Sequence, residues 1–112
     1  MAYPLVNIMN STNYKATGTV VYPGCADDDY TVGPNQSWTA AHRGGCLVSQ
    51  ITAVLQTTTW GNVTASPYTS WGTSYSQFAI VGAGPTFTVT RLTSSTEEQA
   101  PIDDGEQATT QK

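Results

Sequence analysis

Four aromatic residues stand within sixteen positions of one another: Trp60, Tyr68, Trp71 and Tyr75. Asn62, Thr64, Ser66, Thr69, Ser70 and Thr73 are interleaved with them. An aromatic ring offers a large rigid apolar face, and Tyr and Trp add a polar handle. The amides and hydroxyls between the rings can hydrogen-bond to sugar hydroxyls or to lipid headgroups. Mixtures of this kind are common in antibody paratopes, and amphipathic rings also suit the wet boundary of a membrane. Trp60, Asn62, Tyr68, Trp71 and Tyr75 are therefore the candidate ligand-binding residues. At least two of the four rings are expected to close the ends of the fold instead.

Other chemistry is sparsely provided for. The single histidine, His42, lies beside the Arg43-Gly44-Gly45 turn. No Ser sits in a nucleophile-elbow pattern, and the tail carboxylates lack a frame to hold them at catalytic spacing. No catalytic residue is expected, and the chain is read as a non-enzyme. Two cysteines and one histidine do not make a zinc set. Asp27-Asp28-Asp29 could offer oxygens to a hard cation, but the remaining ligands of a calcium loop are missing. The default reading is a solvated loop, with a weak calcium contact from Asp27 or Asp29 as the alternative. No metal and no cofactor are expected.

Cys25 and Cys46 are consistent with one disulfide, with two buried thiols as the alternative. A Thr-, Gly- and Asn-rich, Lys-poor body favours the disulfide and an extracellular setting. Met1–Asn7 lacks a basic start and a long apolar run, so no signal peptide is visible. The chain is expected to be a mature form or one exported by another route. Three glycosylation sequons, at Asn10, Asn35 and Asn62, fall in or beside expected turns.

Charge narrows the partners. Residues 1–96 carry Lys15, Arg43, Arg91, Asp27, Asp28 and Asp29, which sum to zero, and the net charge of −4 belongs to residues 97–112. A near-neutral body lacks the basic patch that nucleic acid requires, and it lacks a polybasic membrane anchor. Few charges also favour self-association, so a homo-oligomer is a possible state.

The elements that must position the candidate site are strands. With nineteen Thr and nine Ser in 112 residues, and few helix formers in the body, the composition favours sheet. Alternation predicts strands at Leu5–Met9, Lys15–Tyr22, Tyr30–Val32, Trp38–Ala41, Gln77–Val81 and Phe87–Leu92. The run Cys46–Thr57 contains no Gly or Pro and reads as the central strand. Twelve residues is long for one strand, so a bulge or hairpin arm is expected within it. The stretch from Thr57 to Tyr75 reads as a long loop holding a short strand near Asn62–Ala65. The fold class predicted is all-β: a small antiparallel β-sandwich of seven or eight short strands. Residues 1–93 form its single domain, and 94–112 form a disordered acidic tail.

The N-terminal strand Leu5–Met9, the strand exit Tyr30-Thr31-Val32-Gly33-Pro34, the loop Ser66-Pro67-Tyr68-Thr69-Ser70-Trp71 and the last strand Phe87–Leu92 resemble, in their order, the aegerolysin and actinoporin-type β-sandwich toxins and fungal fruit-body lectins. The resemblance implies recognition of a membrane lipid headgroup or a surface glycan without catalysis. It transfers no functional residue. Three functions are thus expected in order: a lectin-like carbohydrate-binding module, a membrane-binding protein, and a self-associating structural subunit.

Overall fold

A computed structural model describes residues 2–92. The expected acidic tail, 94–112, lies outside the described residues. The described chain is all-β, with ten strands in two sheets packed as a small sandwich.

The first sheet is built from β1 (Asn7–Asn10), β4 (Ser37–Thr39), β9 (Gln77–Gly82) and β10 (Phe87–Arg91), in the order β10-β9-β1-β4. Its β1–β9 pair is parallel, and its other two pairs are antiparallel. The second sheet holds β2 (Lys15–Val21), β3 (Asp28–Val32), β5 (Val48–Ile51), β6 (Val54–Gln56), β7 (Asn62–Thr64) and β8 (Tyr68–Thr73). Strand β2 has β3 on one side. On its other side lie β5 and β6, end to end, which are flanked in turn by β8 and β7. The second sheet is therefore four ribbons wide.

Alternation places the core. Val6 and Ile8 point inward next to Ala16 and Val20 of β2, Tyr30 and Val32 of β3, Phe78 and Ile80 of β9, and Phe87 and Val89 of β10. Edge-on rings lock the two layers: Tyr68 meets Phe78 at 4.8 Å between centroids, and Tyr14 meets Phe87 at 6.0 Å. The sheets are also joined at a corner between β7 and β8. There Ser66 leaves its own sheet and exchanges backbone hydrogen bonds with Phe87 and Val89, at 2.9 Å each.

The disulfide joins Cys25 to Cys46. It closes a span of 21 residues, which stabilises the fold by roughly 3 kcal/mol on a chain-entropy account. It ties the turn after β2 to the segment entering β5.

Three expectations need correction. The run Cys46–Thr57 is two strands, β5 and β6, because Thr52 and Ala53 leave the ladder between them. Much of the stretch from Thr57 to Tyr75 is sheet, not loop, because β7 and β8 fold back along β6 and β5. Asp28 and Asp29 lie in β3 and not in a loop. The two divided ribbons account for ten strands where seven or eight were expected.

Candidate functional site

The hairpin formed by β5–β6 and β7–β8 carries four of the five candidate ligand residues, with Tyr75 just beyond the end of β8, but it does not gather them. Tyr68 lies in β8 with its ring in the core, only 2 % exposed, so it is not a surface group. Tyr75 is half-buried against the core, and the Arg91 guanidinium lies 3.8 Å from its ring centroid. These two rings are structural. Trp60 sits in the turn between β6 and β7, where its backbone N–H donates to Thr57 Oγ1 at 2.9 Å. Its ring lies against Gly84 in the turn between β9 and β10. Asn62 is exposed at the start of β7.

Trp71 is different. Its side chain is 79 % exposed, the most exposed of the large apolar residues described. Its neighbours Ser70, Gly72 and Thr73 are all buried. An indole this open, held on a strand by buried neighbours, presents a large apolar face to solvent.

A bulge produces this arrangement. Gln50 pairs with Thr69 and Val48 with Thr73, so Ser70, Trp71 and Gly72 stand opposite Ser49 alone. The surplus residues cannot continue the ladder, and side chains replace its hydrogen bonds. Ser70 Oγ donates to the Val48 carbonyl at 2.7 Å and accepts from the Gly72 N–H at 3.1 Å. Gly72 has φ of +136°, a conformation that a side chain disfavours. It also packs against Leu47, whose Cδ1 would sit 3.3 Å from an added Cβ.

Arg43 fixes the far end of the bulge. Its guanidinium is buried and donates to four carbonyls: Thr73 at 2.7 Å, and Pro4, Tyr75 and Cys46 at 2.9 Å each. Its planar fork suits several fixed acceptors better than a point charge would. The expected turn around Arg43 is present, and the clamp that its guanidinium forms is an addition that only the fold reveals. The rarity of Arg43 was the available signal, as one of three cationic residues before position 97. The bulge itself had a sequence signal in Ser70-Trp71-Gly72, a Gly interrupting an otherwise sheet-like segment.

Trp60 and Trp71 do not form one platform. Trp60 belongs to the turn beyond the Gln56–Asn62 pair, whereas Trp71 lies near the Val48–Thr73 pair. Eight residues of extended chain separate those two levels, or about 27 Å.

A concavity of about 180 Å³ lies beside the disulfide and includes Tyr22, Asp28 and His42. It is smaller than the several hundred Å³ usual for a small-molecule pocket. Tyr22 donates its hydroxyl proton to Asp28 Oδ2 at 2.8 Å. Burial, with the Asp28 hydrogen bond and charge, pushes the Tyr22 hydroxyl well above the ordinary tyrosine range. Asp29 accepts instead from Thr19 Oγ1 at 3.0 Å. Asp28 and Asp29 thus serve opposite faces of β3, and the three aspartates do not converge.

The sequons also separate. Asn10 is fully buried, and its Nδ2 donates to the Tyr14, Val32 and Gly33 carbonyls at 2.7–3.3 Å. Asn35 and Asn62 are exposed.

No family model matches the chain, and neither a curated protein nor a solved structure does, so the resemblance in element order to the sandwich toxins and lectins carries no argument about this site.

Proposed function

We propose that the protein is a non-enzymatic, lectin-like binding module whose primary contact is Trp71 and whose ligand is a carbohydrate. The observation that carries this reading is the 79 % exposure of Trp71 on a hydrogen-bonded bulge. A sugar ring presents a patch of C–H groups bordered by hydroxyls. An indole face takes the first, and amides and hydroxyls take the second. Gln50 and Thr69, paired on adjacent strands beside Trp71, supply the polar part.

The membrane reading is less well supported. Interfacial aromatics act together when they reach one depth, and Trp60 and Trp71 sit at opposite ends of their hairpin. The disulfide fits an oxidising, extracellular compartment, where surface glycans are found.

A glycan array probed with the wild-type protein and with Trp71→Ala tests the reading. Wild type is expected to retain a defined set of sugars, and Trp71→Ala to lose more than tenfold in affinity for them. The variant should melt within about 0.5 kcal/mol of wild type, because Trp71 contributes little to the core. Sugar binding that is absent, or indifferent to Trp71→Ala, overturns the proposal.

A further inference from the structure

The outer face of the second sheet continues from Trp71 as a largely polar surface. Thr69, Gln50 and Val21 form the row nearest Trp71. Thr52 and Thr19 follow, joined by a backbone hydrogen bond of 3.0 Å. Thr64, Val54, Thr17 and Thr31 make the next row, one residue from each ribbon. Period-two alternation brings these side chains to one face, since the intervening Ala16, Val20, Tyr30 and Leu55 are buried in the core.

We propose that this face is a track for a linear, uncharged polysaccharide, with Trp71 as its end stop. The inference rests on the reading of Trp71 as a glycan contact and extends it from one sugar ring to a chain. Three features support it. The first is size: four ribbons span about 14 Å, and the strand length from Gln50 to Gln56 is about 20 Å, room for several pyranose units. The second is chemistry. Among the described residues the Thr17, Thr31 and Thr64 hydroxyls have no hydrogen-bond partner within the protein, so they are available to donate to and accept from sugar hydroxyls. The third is charge. Within the strands Lys15 and Asp29 are the charged groups on this face and they cancel, with Asp27 at its margin beyond the start of β3, which suits a neutral polymer and disfavours a polyanion.

Strand spacing adds a geometric reason. Neighbouring ribbons repeat every ~4.8 Å, close to the length of one pyranose unit, so a chain lying across the strands meets a hydroxyl from Thr64, Thr17 and Thr31 at three of the four steps, with the Val54 methyls at the other.

The test is calorimetric titration with dimers and hexamers of glucose, N-acetylglucosamine and mannose. The proteins are wild type, Trp71→Ala and the double variant Thr17→Val/Thr31→Val. Valine keeps the β-branched shape and removes the hydroxyl, so the fold is retained. For the sugar that binds, the hexamer is expected to bind wild type at least tenfold more tightly than the dimer. The double variant should lose about tenfold on the hexamer and nothing on the dimer. Equal affinity for dimer and hexamer overturns the track and leaves the Trp71 site standing. A double variant that keeps the full length dependence does the same. Binding that ignores Trp71→Ala, or no binding of any of these sugars, overturns the Trp71 site and the track with it.

Discussion

The β5–β6 ribbon is broken on both of its edges, and the two breaks end differently. Toward β2, the ladder is interrupted at Thr52, yet the pairing on either side keeps one register: Val20 with Ile51, and Thr17 with Val54. Thr19 N–H bonds to Thr52 Oγ1 at 3.1 Å in place of the Thr52 carbonyl, which swings inward and accepts from the Tyr30 hydroxyl at 2.6 Å. Toward β8, the register slips and the surplus residues push Trp71 into solvent. The first break is sealed by the core and the second opens outward. A sheet irregularity thus serves stability or presentation according to where its displaced group can find a partner.

The largest expected effect tests the sealed break. Gly18 faces Thr52 across the gap, and a Cβ there would collide with the Thr52 backbone and stand 2.7 Å from the Tyr30 hydroxyl. Backbone cannot yield as a flexible side chain can. Gly18→Ala is expected to cost about 3 kcal/mol, read as a lower urea midpoint with an unchanged slope. A cost below about 1 kcal/mol would mean that the inward carbonyl is not a fixed feature.

Tyr30 comes next. Burial holds its hydroxyl protonated well above the ordinary tyrosine range. An unfolded tyrosine ionises near 10.0. The stability that the neutral, buried hydroxyl contributes is therefore fully present below pH 10 and is lost as pH rises through the higher folded value. The slope due to this one group is about 1.4 kcal/mol per pH unit. Tyr30→Phe leaves the Thr52 carbonyl without its donor, at a cost of about 2 kcal/mol near neutral pH. The variant should also show a shallower loss of stability above pH 10 than wild type, in denaturant melts taken along a pH series. Parallel curves would remove Tyr30 from the account.

Legibility in the sequence follows the same division. Inward positions were legible wherever strands alternate strictly: Val6 and Ile8, Ala16 and Val20, Phe78 and Ile80, Phe87 and Val89 are all buried as their spacing implies. The all-β class followed from composition and turn residues. The stretch from Thr57 to Tyr75 is more sheet than its sequence suggests, because Gly61, Pro67 and Gly72 are residue types typical of loops. Gly61 lies in the turn between β6 and β7, Pro67 follows the corner where Ser66 crosses to the other sheet, and Gly72 sits in a bulge. Local composition cannot separate a bulged strand from a loop, because the pairing partner lies far along the chain. Trp71 was identified as a candidate, but its distance from Trp60 was not legible. Gly18 and Arg43 were opaque for the same reason: each matters through backbone atoms that sequence reading leaves out.

The smallest of these three effects on stability carries the sharpest contrast with the sealed break. Ser70 Oγ is the hinge of the open one, donating to Val48 and accepting from Gly72. Ser70→Ala leaves both buried backbone groups without that partner, and it should cost about 1.5 kcal/mol. This is less than at Gly18, because removing a hydroxyl creates no collision, whereas an added Cβ at Gly18 meets backbone that cannot yield. Its second consequence is larger in kind. Without the hydroxyl the bulge has several ways to store its surplus residues, and Trp71 loses its single orientation. The Trp71 indole N–H resonance of Ser70→Ala should broaden or split in a nitrogen–proton correlation spectrum, while the Trp60 resonance stays sharp because its ring is held against Gly84. Glycan affinity should fall about threefold even though every contact residue is still present, since the ordering of the ring must now occur on binding. A sharp, unshifted Trp71 signal in the variant would show that Gly72 and the Arg43 clamp hold the bulge by themselves, and that the two breaks differ in packing rather than in hydrogen bonding.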